Sequence, residues 1–253
     1  VLITSDYYFY NGKKINILEK VGDILSKISS IKKVIVFPYK KNEKIFTKNF
    51  INFEEALSKS NFDDTFERFD FNHPIYILYS SGTTGKPKCI THGAGNVLIE
   101  HNKEFMLHCD IKDSDKLFYY TTTGWMMWNW LVGGLATGAS IFLFDGAPTY
   151  PKINILLEYC QNKKISLFGV SAKYIDHLKN EKFNSSALDL CSLRIITSTG
   201  SPLAEESFKY VYENIKEDVY LSSIAGGTDM VGCLVLGNLY SAVYKGEIQG
   251  QSL

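Results

Sequence analysis

The sequence has no CxxC pair, no two histidines at metal-ligand spacing and no surplus of either charge. Each absence removes a class of function. The five cysteines, Cys89, Cys109, Cys160, Cys191 and Cys233, stand far apart, which argues against a structural zinc site. Their odd number and wide spacing fit reduced thiols in the cytoplasm rather than a disulfide framework. Lys+Arg equals Asp+Glu at 27 each, so no net field draws nucleic acid or an anionic membrane. The lysines between Lys32 and Lys48 read as a solvated face and loop. No secretory leader opens the chain. One stretch, Thr121 to Phe144, carries no charge. Gly133-Gly134 and Gly138 interrupt it and Asn129 dilutes it, so it reads as a buried helix followed by a buried strand, not as a membrane insertion. Nothing in the pattern indicates an oligomeric state. With 253 residues, 45 % hydrophobic and 21 % charged, the chain has the composition of a globular protein with a substantial core.

Hydrophobic periodicity alternates between two and 3.6 for most of the length. Val1–Thr4 reads as a strand. Lys14–Ser29 reads as an amphipathic helix, through Ile17, Leu18, Val21, Ile24, Leu25 and Ile28. Lys33–Pro38 is a strand, and the polar run Lys40–Asn72 holds a short helix at Phe53–Ser58. Ile75–Tyr79 reads as a buried central strand and Asn96–Leu107 as a helix. Strands follow at Lys116–Tyr120, Ser140–Phe144, Ser166–Val170, Leu193–Ser198 and Val219–Ser222. Helices stand between them at Trp125–Leu135, Asn154–Asn162, Ala172–Asn180 and Ala204–Ile215. Tyr244–Gln249 reads as a last strand, antiparallel or barrel-like. Strand–helix alternation predicts an α/β fold of mainly parallel sheets flanked by helices, with ligands beyond the carboxyl ends of the strands. The loops Ser80–Lys88, Thr121–Asn129, Ser198–Leu203 and Ser223–Asp229 all follow such ends.

The run Ser80-Ser-Gly-Thr-Thr-Gly-Lys-Pro-Lys88 holds two glycines, four hydroxyls and two lysines. Gly82 and Gly85 let backbone N–H groups converge, while Ser80, Ser81, Thr83 and Thr84 with Lys86 and Lys88 add further donors. Those parts suit a polyphosphate tail. A Walker A loop is set aside, because Pro87 stands where a magnesium-binding Ser/Thr belongs. A plain polar turn would not gather so many donors. Ser198-Thr-Gly-Ser-Pro-Leu203 ends a strand; read alone, it is equally an ordinary strand-to-helix corner. Ala225-Gly-Gly-Thr-Asp229 allows close backbone approach to a flat ring, and Asp229 offers a hard oxygen suited to magnesium or to a turn cap. The stripe Trp125-Met-Met-Trp128, read alone, favours core packing over a pocket wall. His92, near the phosphate loop, reads equally as a polar residue at a strand end.

Tyr79 to Lys88 resembles the phosphate loop of the adenylate-forming enzymes, the acyl-CoA synthetase family, and the resemblance covers nearly the whole chain. It implies that Ser80 through Gly85, Lys86 and Lys88 bind the phosphates of ATP, with Thr83, Lys86 and Lys88 assisting catalysis. Gly200, Ser201 and Pro202 resemble the family's Gly-Glu-Pro turn bordering adenine, with serine in place of glutamate. Ala225, Gly226, Gly227 and Thr228 would border adenine too. Thr228-Asp229 resembles a Thr-Glu pair, with Asp229 one carbon shorter as the magnesium ligand. Trp125, Met126, Met127, Thr199 and Gly226 would line the acyl pocket. Where acetate-activating members carry a tryptophan, this chain has Gly226, which implies a longer acid. The segments Thr121–Asn129, Leu143–Gly146, Gly226–Val231 and Tyr244–Gln249 resemble the branch of the family that activates acetoacetate. The implied reaction joins acetoacetate to coenzyme A through an acyl-adenylate. By the same resemblance the chain is part of a large nucleotide- and acyl-binding domain, cut at both ends. Residues 1–72 form a first α/β portion and crossing segment, 73–240 the phosphate-loop and acyl-pocket portion, and 241–253 the start of a terminal β portion. The C-terminal lid, with its catalytic lysine, and the ribose-binding aspartate would lie beyond Leu253.

Overall fold

The computed structural model describes residues 1–40, 50–59, 65–80, 85–248 and 250. It divides into two compact units, Val1–Glu67 with Asp145–Pro151, and Arg68–Phe144 with Lys152–Leu253.

In the smaller unit, strands β1 (Leu2–Ser5), β4 (Val34–Phe37) and β5 (Phe50–Asn52) form a parallel sheet in the order β1-β4-β5. Between β1 and β4 the chain makes an antiparallel hairpin, β2 (Tyr7–Tyr10) and β3 (Lys13–Asn16), and then helix α1 (Leu18–Lys27). The helix expected from Lys14 therefore begins only at Leu18. Asn11 and Gly12 both take positive φ, at 49° and 73°, the backbone that a two-residue hairpin turn requires. Lys14–Asn16 is held in that ladder instead of the helix. Val21 of α1 packs with Val34 and Val36 in a small core. Helix α2 (Phe53–Ser58) has the expected bounds, with Asn52 accepting the Glu54 N–H at 2.9 Å as its cap.

The larger unit opens with a second antiparallel hairpin, β6 (Pro74–Ser80) and β7 (Lys88–Gly93), in which Ser80 stands opposite Lys88. Sequence reading expected a buried central strand at Ile75–Tyr79. The strand is there, but Ile75, Ile77 and Tyr79 are 50 %, 57 % and 67 % exposed. Among the described residues it pairs with β7 alone, so alternate side chains of the ribbon point outward. Helix α3 (Ala94–Lys103) follows and runs into a π turn at Glu104–His108.

The centre is a five-stranded parallel sheet in the order β12-β11-β10-β8-β9. Its strands are β8 (Lys116–Tyr119), β9 (Ser140–Phe142), β10 (Leu167–Ser171), β11 (Ile195–Thr199) and β12 (Tyr220–Ser223). Side chains alternate between its faces. Phe118, Phe168, Ile196 and Leu221 pack with α5 (Ile155–Lys163), α6 (Ala172–Asn180), α7 (Glu205–Tyr210) and the π turn Val211–Ile215. Leu117, Tyr119, Leu167 and Ile195 pack with Phe105 and with α4 (Met126–Gly133). Burial on both faces is why these strands read as nearly continuous apolar runs. After β12 the chain leaves the parallel sheet and forms a third antiparallel hairpin, β13 (Ala225–Gly227) with β14 (Gly232–Val235). The last strand expected at Tyr244–Gln249 is not found. Tyr244–Ile248 is a turn, with Gly246 at φ 76° and the Glu247 N–H donating to Tyr244 O at 3.3 Å; Gln249 lies outside the described residues. No helix among the described residues is long and apolar enough to cross a membrane.

Candidate active site

The carboxyl ends of β11 and β12 open into a cavity of about 270 Å³. Strand β11 delivers Thr199 to its edge and the chain turns at once through Gly200, Ser201 and Pro202. Gly200 sits at φ 89°, a backbone that side chains rarely adopt, and the ring edge of Trp125 lies 3.8 Å from where its Cβ would stand. Thr199 donates its hydroxyl hydrogen to Ile224 O at 3.2 Å, tying the end of β11 to the segment after β12. That segment continues as Ala225, Gly226, Gly227 and Thr228, which form a second wall. The third wall is the start of α4, where Trp125, Met126 and Met127 face the space. The Trp125 N–H donates to Thr122 O at 3.0 Å, and its ring meets Tyr119 edge-on at 5.9 Å between centroids. Burial raises the Tyr119 hydroxyl well above the usual tyrosine range, so it stays protonated beneath the pocket.

The geometry thus brings together all eleven residues expected at the adenine and acyl positions. It also gives Gly226 a second reason to be glycine. A Cβ there would lie 2.2 Å from Gly232 O and 2.7 Å from the Cys233 Cα. The glycine is demanded by the close approach of β13 to β14, so no larger residue fits without moving that strand. Pro202 precedes α7 by three residues instead of opening it, Ala204 being the cap.

The residues expected to bind phosphate divide. Ser81, Gly82, Thr83 and Thr84 lie outside the described residues. Ser80 ends β6, Lys88 begins β7, and Gly85 and Lys86 lie between them on the exposed side. The described residues of the run thus end one strand of the β6–β7 hairpin and begin the other. A second cavity, of about 450 Å³, touches Tyr79 at the end of that hairpin together with Trp125, Met126 and Thr228, so the stem of the loop borders two walls of the first cavity. Asp229 is exposed in the turn after Thr228 and lines neither cavity. Among the described residues no group of three His, Cys, Asp or Glu is placed to hold a metal. A cation here would take one carboxylate oxygen from the protein and the rest of its shell from phosphate and water, as magnesium commonly does.

Sequence reasoning missed Ile224, Gly232, Cys233 and Ile248, which complete the lining of the first cavity. Ile248 belongs to the segment expected as a strand, and Gly232-Cys233 carries no chemical signature by itself. His92 is buried in β7, and its Nε2 has no hydrogen-bond partner among the described residues.

Comparisons with known proteins show the family to which the chain belongs. The family described as AMP-binding enzyme matches residues 2–249. The chain is 45 % identical to an acetoacetyl-coenzyme A synthetase of Rhizobium meliloti (strain 1021) and 44 % identical to an acetoacetyl-CoA synthetase of Gallus gallus. Each alignment covers 100 % of this chain and 39 % of the relative, so the chain spans well under half the length of the curated relatives it matches. The solved structure of an acetoacetyl-CoA synthetase from Streptomyces lividans superposes with a TM-score of 0.92 at 34 % identity, again over 100 % of this chain and 39 % of the other. The chain belongs to the AMP-binding enzyme family.

Proposed function

We propose that this chain carries the nucleotide- and acid-binding region of an enzyme that ligates acetoacetate to coenzyme A, releasing AMP and pyrophosphate. The observation that carries the reading is the convergence of Trp125–Met127, Thr199–Pro202 and Ala225–Thr228 on one cavity at the carboxyl end of the parallel sheet. The names of the bacterial and avian relatives supply the acid.

In this reading the acid's carboxylate attacks the α-phosphorus of ATP, and the thiol of coenzyme A then displaces AMP from the acyl-adenylate. Neither step requires a side-chain nucleophile. The protein's part is to align the reactants and to neutralise charge. Gly200, Ser201 and Pro202 on one side and Ala225–Thr228 on the other border adenine. Trp125, Met126, Met127, Thr199 and Gly226 enclose the acid. Ser80, Ser81, Gly82, Thr83, Thr84, Gly85, Lys86 and Lys88 steady the departing pyrophosphate. Asp229 would hold magnesium on the protein side, and the ion would neutralise charge on the phosphates. The reaction runs in the cytoplasm, a setting that the five free thiols support.

The test is acid-dependent exchange of labelled pyrophosphate into ATP by the full-length protein, over acetoacetate, acetate and propionate. Strong exchange with acetoacetate is expected. A preference for propionate would replace the acid, and no exchange with any acid would reduce the protein to a nucleotide-holding relative.

A further inference from the structure

Behind the cavity lies a set of buried polar side chains that the reaction does not use. His101, Glu104 and His108 stand at i, i+3 and i+7 on α3 and its π turn, and all three are buried. Each engages the backbone of residues 231–237. His101 Nε2 lies 2.7 Å from Val231 O, and His108 Nδ1 lies 2.8 Å from Gly237 O. Glu104 Oε1 accepts the Cys233 N–H at 2.6 Å.

Glu104 also reaches the opposite wall. Its Oε2 accepts the Trp130 indole N–H at 2.5 Å. Trp130 is one turn along α4 from Trp125–Met127, and Cys233 is paired with Gly226 across the β13–β14 ladder. One carboxyl group therefore links the helix that forms one side of the cavity to the strand that backs the other. Gly232 makes room for it, since a Cβ there would stand 2.8 Å from Glu104 Oε1. The setting is unfavourable to a charge. Burial, reinforced by the neighbouring Glu100 carboxyl, pushes Glu104 up to about 7 against the pull of its two N–H donors. Glu104 is 1 % exposed and is not part of the cavity lining, so substrate does not explain its presence. An apolar residue in its place would leave the Cys233 amide and the Trp130 indole without an acceptor.

We propose that Glu104 is a positioning residue that sets the separation of the two walls of the acid pocket, and thereby which acids the pocket accepts. The proposal rests on the adenylating reading of the cavity. Glu104→Gln keeps the shape and accepts one of the two N–H groups, while Trp130→Phe removes only the indole donor. Both are made in the full-length protein, and kcat/KM is compared for acetoacetate and propionate. In Glu104→Gln the ratio between the two acids shifts about tenfold, equivalent to about 1.4 kcal/mol. Trp130→Phe moves the ratio in the same direction. A brace serving stability alone would lower both acids together, so an unchanged ratio in both variants overturns the proposal. Should the unaltered protein activate no acid, the functional reading fails, and hydrogen exchange decides the brace by itself. Faster exchange of the Cys233 amide in Glu104→Gln upholds it, and equal exchange overturns it.

Discussion

The five-stranded parallel sheet and the β6–β7 hairpin, both in the larger unit, meet the site in opposite ways. The sheet is covered on both faces, and Leu117 and Leu167 are wholly buried. The hairpin leaves Ile75, Ile77 and Tyr79 at least half exposed. The sheet ends in glycine turns whose positions are set by packing beneath them. The hairpin ends in lysines that make little contact of their own, Lys86 and Lys88 both being exposed. The contrast teaches where stability and chemistry are separated: the cavity walls stand on the packed sheet, and the groups proposed to bind phosphate are hung from a ribbon that contributes little to the core.

The sharpest way to break that contrast is to move a mutation from one region to the other. Phe168→Ala, in the sheet, removes a ring stacked on Phe118 at 5.4 Å between centroids. It should cost about 3–5 kcal/mol of unfolding free energy in a denaturant titration. Replacing Lys86 and Lys88 together by alanine should leave that free energy within about 0.5 kcal/mol, as for surface sites generally. The same pair should slow adenylate formation about 100- to 1,000-fold, measured by pyrophosphate exchange. Equal loss of stability in the two variants would erase the distinction. Gly226→Ala probes the boundary between the regions. Its Cβ meets the β14 backbone, so it should destabilise by about 1–3 kcal/mol and enlarge the KM for the acid. The smallest effect is a pH slope. Glu104 binds its proton up to about pH 7 in the folded chain, against an ordinary value of 4.5. Between those values the folded state holds a proton that the unfolded state has lost, so stability falls as pH rises, by about 1.4 kcal/mol per unit at most. Glu104→Gln should lack that slope in paired unfolding curves.

The same contrast explains what could be read in advance. The parallel strands and their covering helices are legible because two-sided burial writes continuous apolar runs and clear helical periods. Ala172–Asn180 has the expected bounds at both ends, with the Ser171 hydroxyl accepting the Tyr174 N–H as its cap. The antiparallel ribbons are the part that escaped. Strand β7 reads Lys-Cys-Ile-Thr-His-Gly, with no apolar face to mark it. The β2–β3 hairpin carried a usable signal in Asn11-Gly12, which the helical period of the following residues masked. The turns of the site were legible as glycine clusters after strands, and their convergence follows from the parallel topology. Glu104, His101 and His108 were not, because a buried polar residue in a helix resembles an exposed one until its partners, some 130 residues away in sequence, are in place.

The most direct test is a crystal structure of the full chain with a non-hydrolysable acyl-adenylate analogue. The expected result places adenine between Gly200–Pro202 and Ala225–Gly227, with the acyl group against Trp125 and Met126. An analogue bound elsewhere, with that cavity filled only by solvent, would contradict it.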